Sequence, residues 1–205
     1  SFCGPWPPAI PSFTFDDSSN LGTAIKHLFG PLALSFLCAV GGNAQTPDFY
    51  DHWADGRAEV SSYRIVQNRY GEERLGYSVL IFVTEDIHRD TYIKVKSPTP
   101  KEDRLYTLKL NNVLKFNTGI YDYSVMTSVF SVIDADVHAF TLKKVAINAQ
   151  EWCGHVFEEV LFEGEKLKGT LNSYFESEGR QNYALDANEA IESEDHLLIL
   201  IRELS

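Results

Sequence analysis

The 205-residue chain has very few sulfur-containing residues: a single methionine, Met126, and three cysteines. The cysteines Cys3, Cys38 and Cys153 form no pair with the spacing of metal ligands. Cys38 lies inside an apolar run that export is expected to remove, so Cys153 is predicted to be the one thiol of the mature chain. This prediction excludes a disulfide framework, and the core alone would hold the fold together.

Basic charge is also scarce. The chain has 18 Lys and Arg residues against 29 Asp and Glu residues, which gives a formal net charge of −11. The acidic residues are scattered along the chain rather than gathered into a tail. Because such a surface repels phosphate backbones and offers no basic face, the sequence predicts no nucleic-acid partner and no binding to anionic lipid through charge.

The motifs of several enzyme classes are absent. The chain has neither a G-x-G-x-x-G sequence nor a Walker loop, which disfavours a nucleotide-binding α/β fold. It has no G-x-S-x-G elbow and no H-E-x-x-H motif either. Residues 51–56 resemble the start of a calcium loop, but Trp53 and Ser62 stand where two of its ligands should be. The sequence therefore predicts no metal and no cofactor.

Residues 26–44 have the three-part pattern of a secretory signal: the basic Lys26, an apolar centre at residues 28–40, and small residues at the end. The centre is 13 residues long, well short of the roughly 20 that span a bilayer as a helix. One alternative is a buried core helix, which the Gly-Pro pair at residues 30–31 disfavours, and another is lipidation at Cys38, which the large Leu37 before it disfavours. We therefore predict an exported protein of the periplasm or outer membrane. Residues 1–44 would be a disordered leader plus signal peptide, and residues 45–205 a single β-rich domain.

The mature part has the texture of an antiparallel β protein. Thirteen Phe and ten Tyr favour strands, and short β-type runs alternate with Gly-, Pro- and Asn-containing turns. The predicted strands are residues 58–67, 75–84, 91–96, 105–116, 121–132, 140–149, 151–162 and 167–176. Residues 186–204 predict a helix, or a helix followed by a buried strand. The expected fold class is mainly β: an antiparallel meander that forms a curved sheet or half-barrel, with one helix near the C-terminus. An unclosed sheet ending at Ser205 also leads us to expect C-terminal truncation.

Residues 150–155, with the sequence QEWCGH, concentrate reactive side chains. If the segment is a strand, Glu151, Cys153 and His155 share one face, where a Cys and a His form a thiolate–imidazolium pair or supply two metal ligands. Same-side neighbours on a strand lie roughly 6.5–7 Å apart, which suits joint metal ligation better than proton transfer. A metal would need further ligands from among His52, His88 and His138, which the spacing does not bring together.

The same segment has a plainer interpretation, which the pattern favours. In that interpretation Cys153 is a small buried hydrophobe, Trp152 is part of the core and Gly154 marks a β-bulge. A bulge would also change which side chains share a face. Glu151, Cys153 and His155 thus remain candidates for catalysis only in the alternative reading.

Tyr121 and Tyr123 fall on one face of a predicted strand. Tyrosines supply apolar area with one polar handle, so this pair, together with Trp152, is the predicted ligand-binding set. A half-buried strand without a ligand uses the same residues, and that alternative stays open.

Five blocks of the chain carry a resemblance: WADGRAE at residues 53–59, RYGE at 69–72, FVTE at 82–85, TGIYDY at 118–123 and QEWCGH at 150–155. In this order they resemble an uncharacterised family of exported bacterial proteins, and the resemblance covers residues 48–202. The family has no established activity to carry over. Its members are longer than this chain, which agrees with the expected truncation.

Members of that family are sometimes labelled septum formation inhibitor (Maf), a label that does not fit this chain. Proteins properly called Maf are cytoplasmic nucleotide pyrophosphatases with an α/β fold and a Ser-x-Ser-Pro-Arg-Arg signature, whereas this chain has no Arg-Arg dipeptide. Its strand-rich texture followed by a helix is instead similar to periplasmic half-barrels that carry lipids or lipoproteins.

These observations favour a non-enzymatic exported protein that binds an apolar or amphipathic ligand, such as a lipid, in a curved β-sheet. The first alternative is a metal- or thiol-dependent enzyme that uses Cys153 and His155. The second is a structural component of the cell envelope. The sequence makes no prediction of the oligomeric state.

Overall fold

A computed structural model describes residues 47–96, 98–134, 139–186 and 193–203. All of these belong to one compact unit, Ala44–Ser205. The predicted leader and signal peptide, with Cys3 and Cys38, lie outside the described residues, and so does His138. In the part of the chain that is described, no helix is both long and apolar enough to cross a membrane.

Eight strands form a single antiparallel sheet in which each strand pairs with its neighbours in the chain. They are β1 Glu59–Arg69, β2 Glu72–His88, β3 Arg104–Asn117, β4 Asp122–Val132, β5 Thr141–Glu151, β6 Gly154–Glu163, β7 Lys166–Ser173 and β8 Arg180–Asp186. The sheet is curved and unclosed, with β1 and β8 as its edges. The predicted mainly β, antiparallel fold class is confirmed.

The connections of a meander alternate between the two ends of the sheet. The β1–β2, β3–β4, β5–β6 and β7–β8 turns meet at one end, which we name the hairpin end. Two of them have only two residues, and in one of these, Tyr70-Gly71, both residues have positive φ (56° and 74°). A two-residue turn of this type matches the right-handed twist of its strands, and Gly71 adopts the required conformation without strain.

Two short helices lie at the other end of the sheet, which we name the helix end: α1 Pro47–Trp53 and α2 Leu197–Glu203. The apolar run for which a buried strand was an alternative is therefore helical. It follows a 3₁₀ turn, Glu194–His196, that is capped when the Ser193 side chain accepts a hydrogen bond from the Asp195 backbone. Helix α1 was not predicted, although its initial proline is a common first helical residue.

Residues 91–96 are not the predicted strand. They form a loop with a single bridge between Ile87 and Lys94, in which Tyr92 has a positive φ of 50°. The alternating pattern arises because Tyr92 packs with Ile87, Leu105 and neighbouring apolar residues on the outer face of the sheet. Alternation in this segment reflects burial of one aromatic ring rather than strand pairing.

The main core lies between the two helices and the inner face of the sheet. Trp53 of α1 packs with its ring 6.1 Å from that of Phe82, and Ile199 of α2 is fully buried in the same cluster. The strands contribute Leu80, Phe82, Leu108, Leu110, Val129, Leu142 and Val145. Each large apolar side chain buried in this way contributes about 1.5–3 kcal/mol to stability. The helices thus cover the inner face at the helix end only.

Candidate functional site

A second apolar strip crosses the inner face beside the helix-covered core. The strand register places seven residues side by side on this face, from β1 to β7. In that order they are Tyr63, Ser78, Leu114, Val125, Ala149, Val156 and Ser173, which we name the groove row. None of them belongs to the core cluster that packs against the helices.

Burial shows that the groove row lies on the inside of the curve. Val125 and Ala149 at its centre are 8% and 6% exposed, whereas Met126 and Gln150, which follow them in the chain and face outward, are exposed. Towards the β1 edge the side chains become accessible again, and Tyr63 is 49% exposed. The centre of the groove row, which forms its floor, is therefore buried and apolar. At the β1 edge a half-exposed aromatic side chain forms an open wall.

A polar row separates the groove row from the core. It contains Asn112, Thr127 and Glu158 among apolar neighbours. Ser78 donates a hydrogen bond to Asn112 Oδ1 at 2.7 Å, and Tyr183 donates one to Glu158 Oε1 at 2.7 Å. Burial, followed by the contact with Glu158, raises the pKa of Tyr183. Polar side chains near the groove are thus held in fixed positions by hydrogen bonds.

At the hairpin end the groove row adjoins three tyrosines and three residues that contact them. We name this group the tyrosine cluster: Arg69, Tyr70, Phe116, Tyr121, Tyr123 and Glu151. The hydroxyls of Tyr70 and Tyr123 are 2.7 Å apart, and those of Tyr70 and Tyr121 are 3.3 Å apart. Arg69 donates to the Tyr123 hydroxyl at 3.3 Å and lies over the rings of Tyr70 and Tyr123. The cluster joins three hairpins of the sheet through directional contacts.

Burial and hydrogen bonding shift the pKa values of these hydroxyls in different directions. Burial, and then hydrogen bonds with Glu151 and Tyr70, raise the pKa of Tyr123. For Tyr70, burial opposes ionisation, but hydrogen bonds with Tyr121 and Tyr123 and the charge of Arg69 outweigh it and lower its pKa. Glu151 is 6% exposed, and its Oε2 atom accepts no hydrogen bond from the residues that the structure describes. The cluster therefore presents a buried acceptor that a donor group can use.

The structure brings the predicted ligand-binding residues together. The Tyr121 ring lies 5.6 Å from that of Tyr123 and stacks at 5.8 Å on that of Trp152. Trp152 is 71% exposed, so it is not the core residue considered as an alternative. Sequence reasoning missed Arg69 and Tyr70 because they belong to another hairpin, and it missed Phe116 because the register that pairs it with Tyr123 was not predicted. The turn at Tyr70 was the only local signal that could have placed an aromatic ring there.

The structure does not bring the predicted reactive residues together. Glu151 ends β5, Cys153 lies in the turn and His155 belongs to β6, so the segment is a hairpin rather than one strand. Since Glu151 faces inward and His155 pairs with the outward-facing Gln150, they do not share a face. Gly154 is not a bulge but the first residue of β6, and the Tyr174 ring lies directly on it.

Cys153 is disulfide-bonded, which corrects the prediction of a lone thiol. His155 instead lines a shallow groove on the outer surface with Phe157, Asn172, Tyr174 and Arg180. Within the described ranges, no group of three or more His, Cys, Asp or Glu side chains is placed to hold a metal ion. The geometry thus gives no support to joint chemistry by Cys153 and His155.

Comparison of the chain with models of protein families, with curated proteins and with solved structures gave no match. The resemblance to exported bacterial proteins stays a prediction.

Proposed function

We propose that this chain is an exported, non-enzymatic protein that binds an apolar or amphipathic ligand on the inner face of its curved sheet. The observation that carries the proposal is the groove row, an apolar strip outside the helix-covered core with a half-exposed tyrosine at its edge. In the part of the chain that the structure describes, two helices pack on the inner face at the helix end, and neither packs on this strip.

The arrangement suits a molecule with an apolar part and a polar end. Val125 and Ala149 form an apolar floor, and the half-buried Leu114 and Val156 stand beside them. Apolar contact along this strip provides affinity that does not depend on direction. The tyrosine cluster at one end supplies hydroxyls and the Glu151 Oε2 acceptor, which would orient a polar group.

The ligand set proposed here combines both parts of the site. Tyr63 forms the open wall at the β1 edge, and Tyr121 and Tyr123 form the polar end wall. Trp152 extends this wall to the surface by stacking on Tyr121. The hydroxyls of Tyr121 and Tyr123 are already hydrogen-bonded to that of Tyr70. A polar ligand group would therefore replace these hydrogen bonds with its own rather than fill an empty space.

A matched pair of tyrosines tests the proposal. Tyr63 and Tyr77 are 49% and 48% exposed and lie on neighbouring strands, but Tyr63 faces the groove and Tyr77 faces outward. We expect Tyr63→Ala to weaken binding of a dansyl-labelled fatty acid about tenfold, because a large apolar contact is lost. Tyr77→Ala is expected to bind like the unaltered chain.

Equal effects of the two substitutions, or no binding by the unaltered chain, would contradict the proposal and favour a structural envelope component. Export is tested separately by N-terminal sequencing of protein recovered from the periplasmic fraction and by titration of its thiols, because removal of residues 1–44 would also remove Cys3 and Cys38 and leave Cys153 as a free thiol. Recovery only from the cytoplasm, with residues 26–44 still attached, would contradict that part.

A further inference from the structure

The four turns at the hairpin end each expose a large apolar or amphipathic side chain. The β1–β2 turn presents Tyr70 (44% exposed), the β3–β4 turn Ile120 (80%), the β5–β6 turn Trp152 (71%) and the connection after β7 Tyr174 (70%). We name these four residues the tip ridge. Exposed apolar residues scattered singly need no explanation, but one on every turn at the same end of a sheet does.

Contacts between the turns make the tip ridge continuous. The Tyr70 hydroxyl lies 3.3 Å from that of Tyr121, and the Tyr121 ring stacks on Trp152. Two residues beyond Trp152, Gly154 supports the ring of Tyr174, and a Cβ atom at position 154 would come within 2.4 Å of that ring. The four turns are therefore held side by side rather than projecting independently.

The charge around the tip ridge is not basic. The charged side chains of these turns and the adjoining strand ends are the acidic Glu72, Glu73, Asp122, Glu151, Glu176 and Glu178 and the basic Arg69, Arg74, Lys115 and Arg180. An acidic excess repels anionic headgroups and gives no reason for binding phosphate through charge. A partner for this ridge has to be attracted by its rings and apolar side chains.

We infer that the tip ridge docks the protein on the surface of a zwitterionic lipid bilayer. Trp and Tyr combine a flat apolar body with a polar atom and are enriched at the level of lipid headgroups. Ile120 supplies apolar area that inserts beside them, and a neutral headgroup layer does not repel the acidic side chains. Tyr70 and Trp152 also belong to the proposed ligand site, whereas Ile120 and Tyr174 lie outside it, so the part that Ile120 plays in docking can be tested apart from ligand binding.

Vesicle sedimentation with the full chain tests the inference, using phosphatidylcholine vesicles at low and high salt. We expect binding that is insensitive to salt and that Trp152→Ala weakens about tenfold, because the largest inserted ring is lost. Ile120 has a matched control in Ile93, which is 65% exposed in the β2–β3 loop at the opposite end. Ile120→Ser is expected to weaken vesicle binding several-fold, and Ile93→Ser to leave it unchanged.

Three results would overturn the inference: no sedimentation with phosphatidylcholine, binding only to phosphatidylserine vesicles that high salt abolishes, or equal effects of Ile120→Ser and Ile93→Ser. The proposed ligand function is tested independently of docking, because Ile120→Ser is expected to leave fatty-acid binding in solution unchanged. Weaker fatty-acid binding by that variant, with unchanged vesicle binding, would place Ile120 in the ligand site instead and count against docking.

Discussion

The two ends of the sheet are built from the same strands but stabilised by different interactions. At the helix end, Trp53 and Ile199 pack on inward-facing side chains such as Phe82, and the contacts are apolar. At the hairpin end, the inner face carries the hydroxyls of Tyr70 and Tyr123 within a hydrogen-bonded network. Burial of apolar area tolerates variation in direction, whereas each hydrogen bond requires its partner at a set position.

This difference shows where the molecule gives up stability. At the hairpin end, Arg74 Nε and Glu151 Oε2 are buried and make no hydrogen bond within the described part of the chain. A buried polar atom without a partner costs about 1–3 kcal/mol. The helix end is organised as a core, while the hairpin end retains polar atoms and exposed rings that a ligand or a surface can use.

The largest expected effect comes from opening the helix end. Phe82 is fully buried, and we expect Phe82→Ala to lower the free energy of unfolding by about 3–5 kcal/mol through lost apolar contacts and a cavity. Urea denaturation followed by circular dichroism measures this. Val66→Ala, at a residue that is 59% exposed, is the control and should change stability by less than about 0.5 kcal/mol. Similar losses for the two variants would mean that the helices do not cover a core.

A smaller effect is expected from removing one hydroxyl at the hairpin end. Tyr123→Phe keeps the ring that stacks 4.7 Å from Phe116 but removes the partner of Tyr70, Arg69 and Glu151. The free energy of unfolding should fall by about 1–3 kcal/mol, because buried polar groups lose a hydrogen bond. The same urea titration of Tyr63→Phe, at a half-exposed tyrosine, gives the reference. A neutral Tyr123→Phe would show that the polar network contributes nothing to stability.

The smallest expected effect appears only at alkaline pH. The pKa of Tyr123 is higher in the folded chain than in the unfolded chain, where it is about 10. As the pH rises past about 10, the unfolded state loses its proton first, so stability falls. Urea midpoints measured between about pH 8 and pH 11 should decrease more steeply for the unaltered chain than for Tyr123→Phe. Parallel curves would place the ionisation elsewhere.

Strand positions were the most predictable part of the fold. Alternation and turn residues located β1 and β2 on either side of the Tyr70-Gly71 turn, because both signals are local. The same reasoning failed at residues 91–96, where alternation accompanies the burial of Tyr92 in a loop. It also failed at residues 150–155, where a two-residue turn at Trp152 and Cys153 separates Glu151 from His155 and places them on opposite faces. β8 was missed, since residues 180–186 are mostly polar and exposed.

The sequence by itself determined the antiparallel meander and placed Tyr121 and Tyr123 on one face, because side-chain alternation and short turns act over a few residues. Only the tertiary structure decided that Arg69, 54 residues before Tyr123, completes the tyrosine cluster. It also decided that both helices cover one end of the inner face and that four turns align their exposed side chains. Those features depend on strand register and sheet curvature, which are set by packing across the whole domain rather than by neighbouring residues.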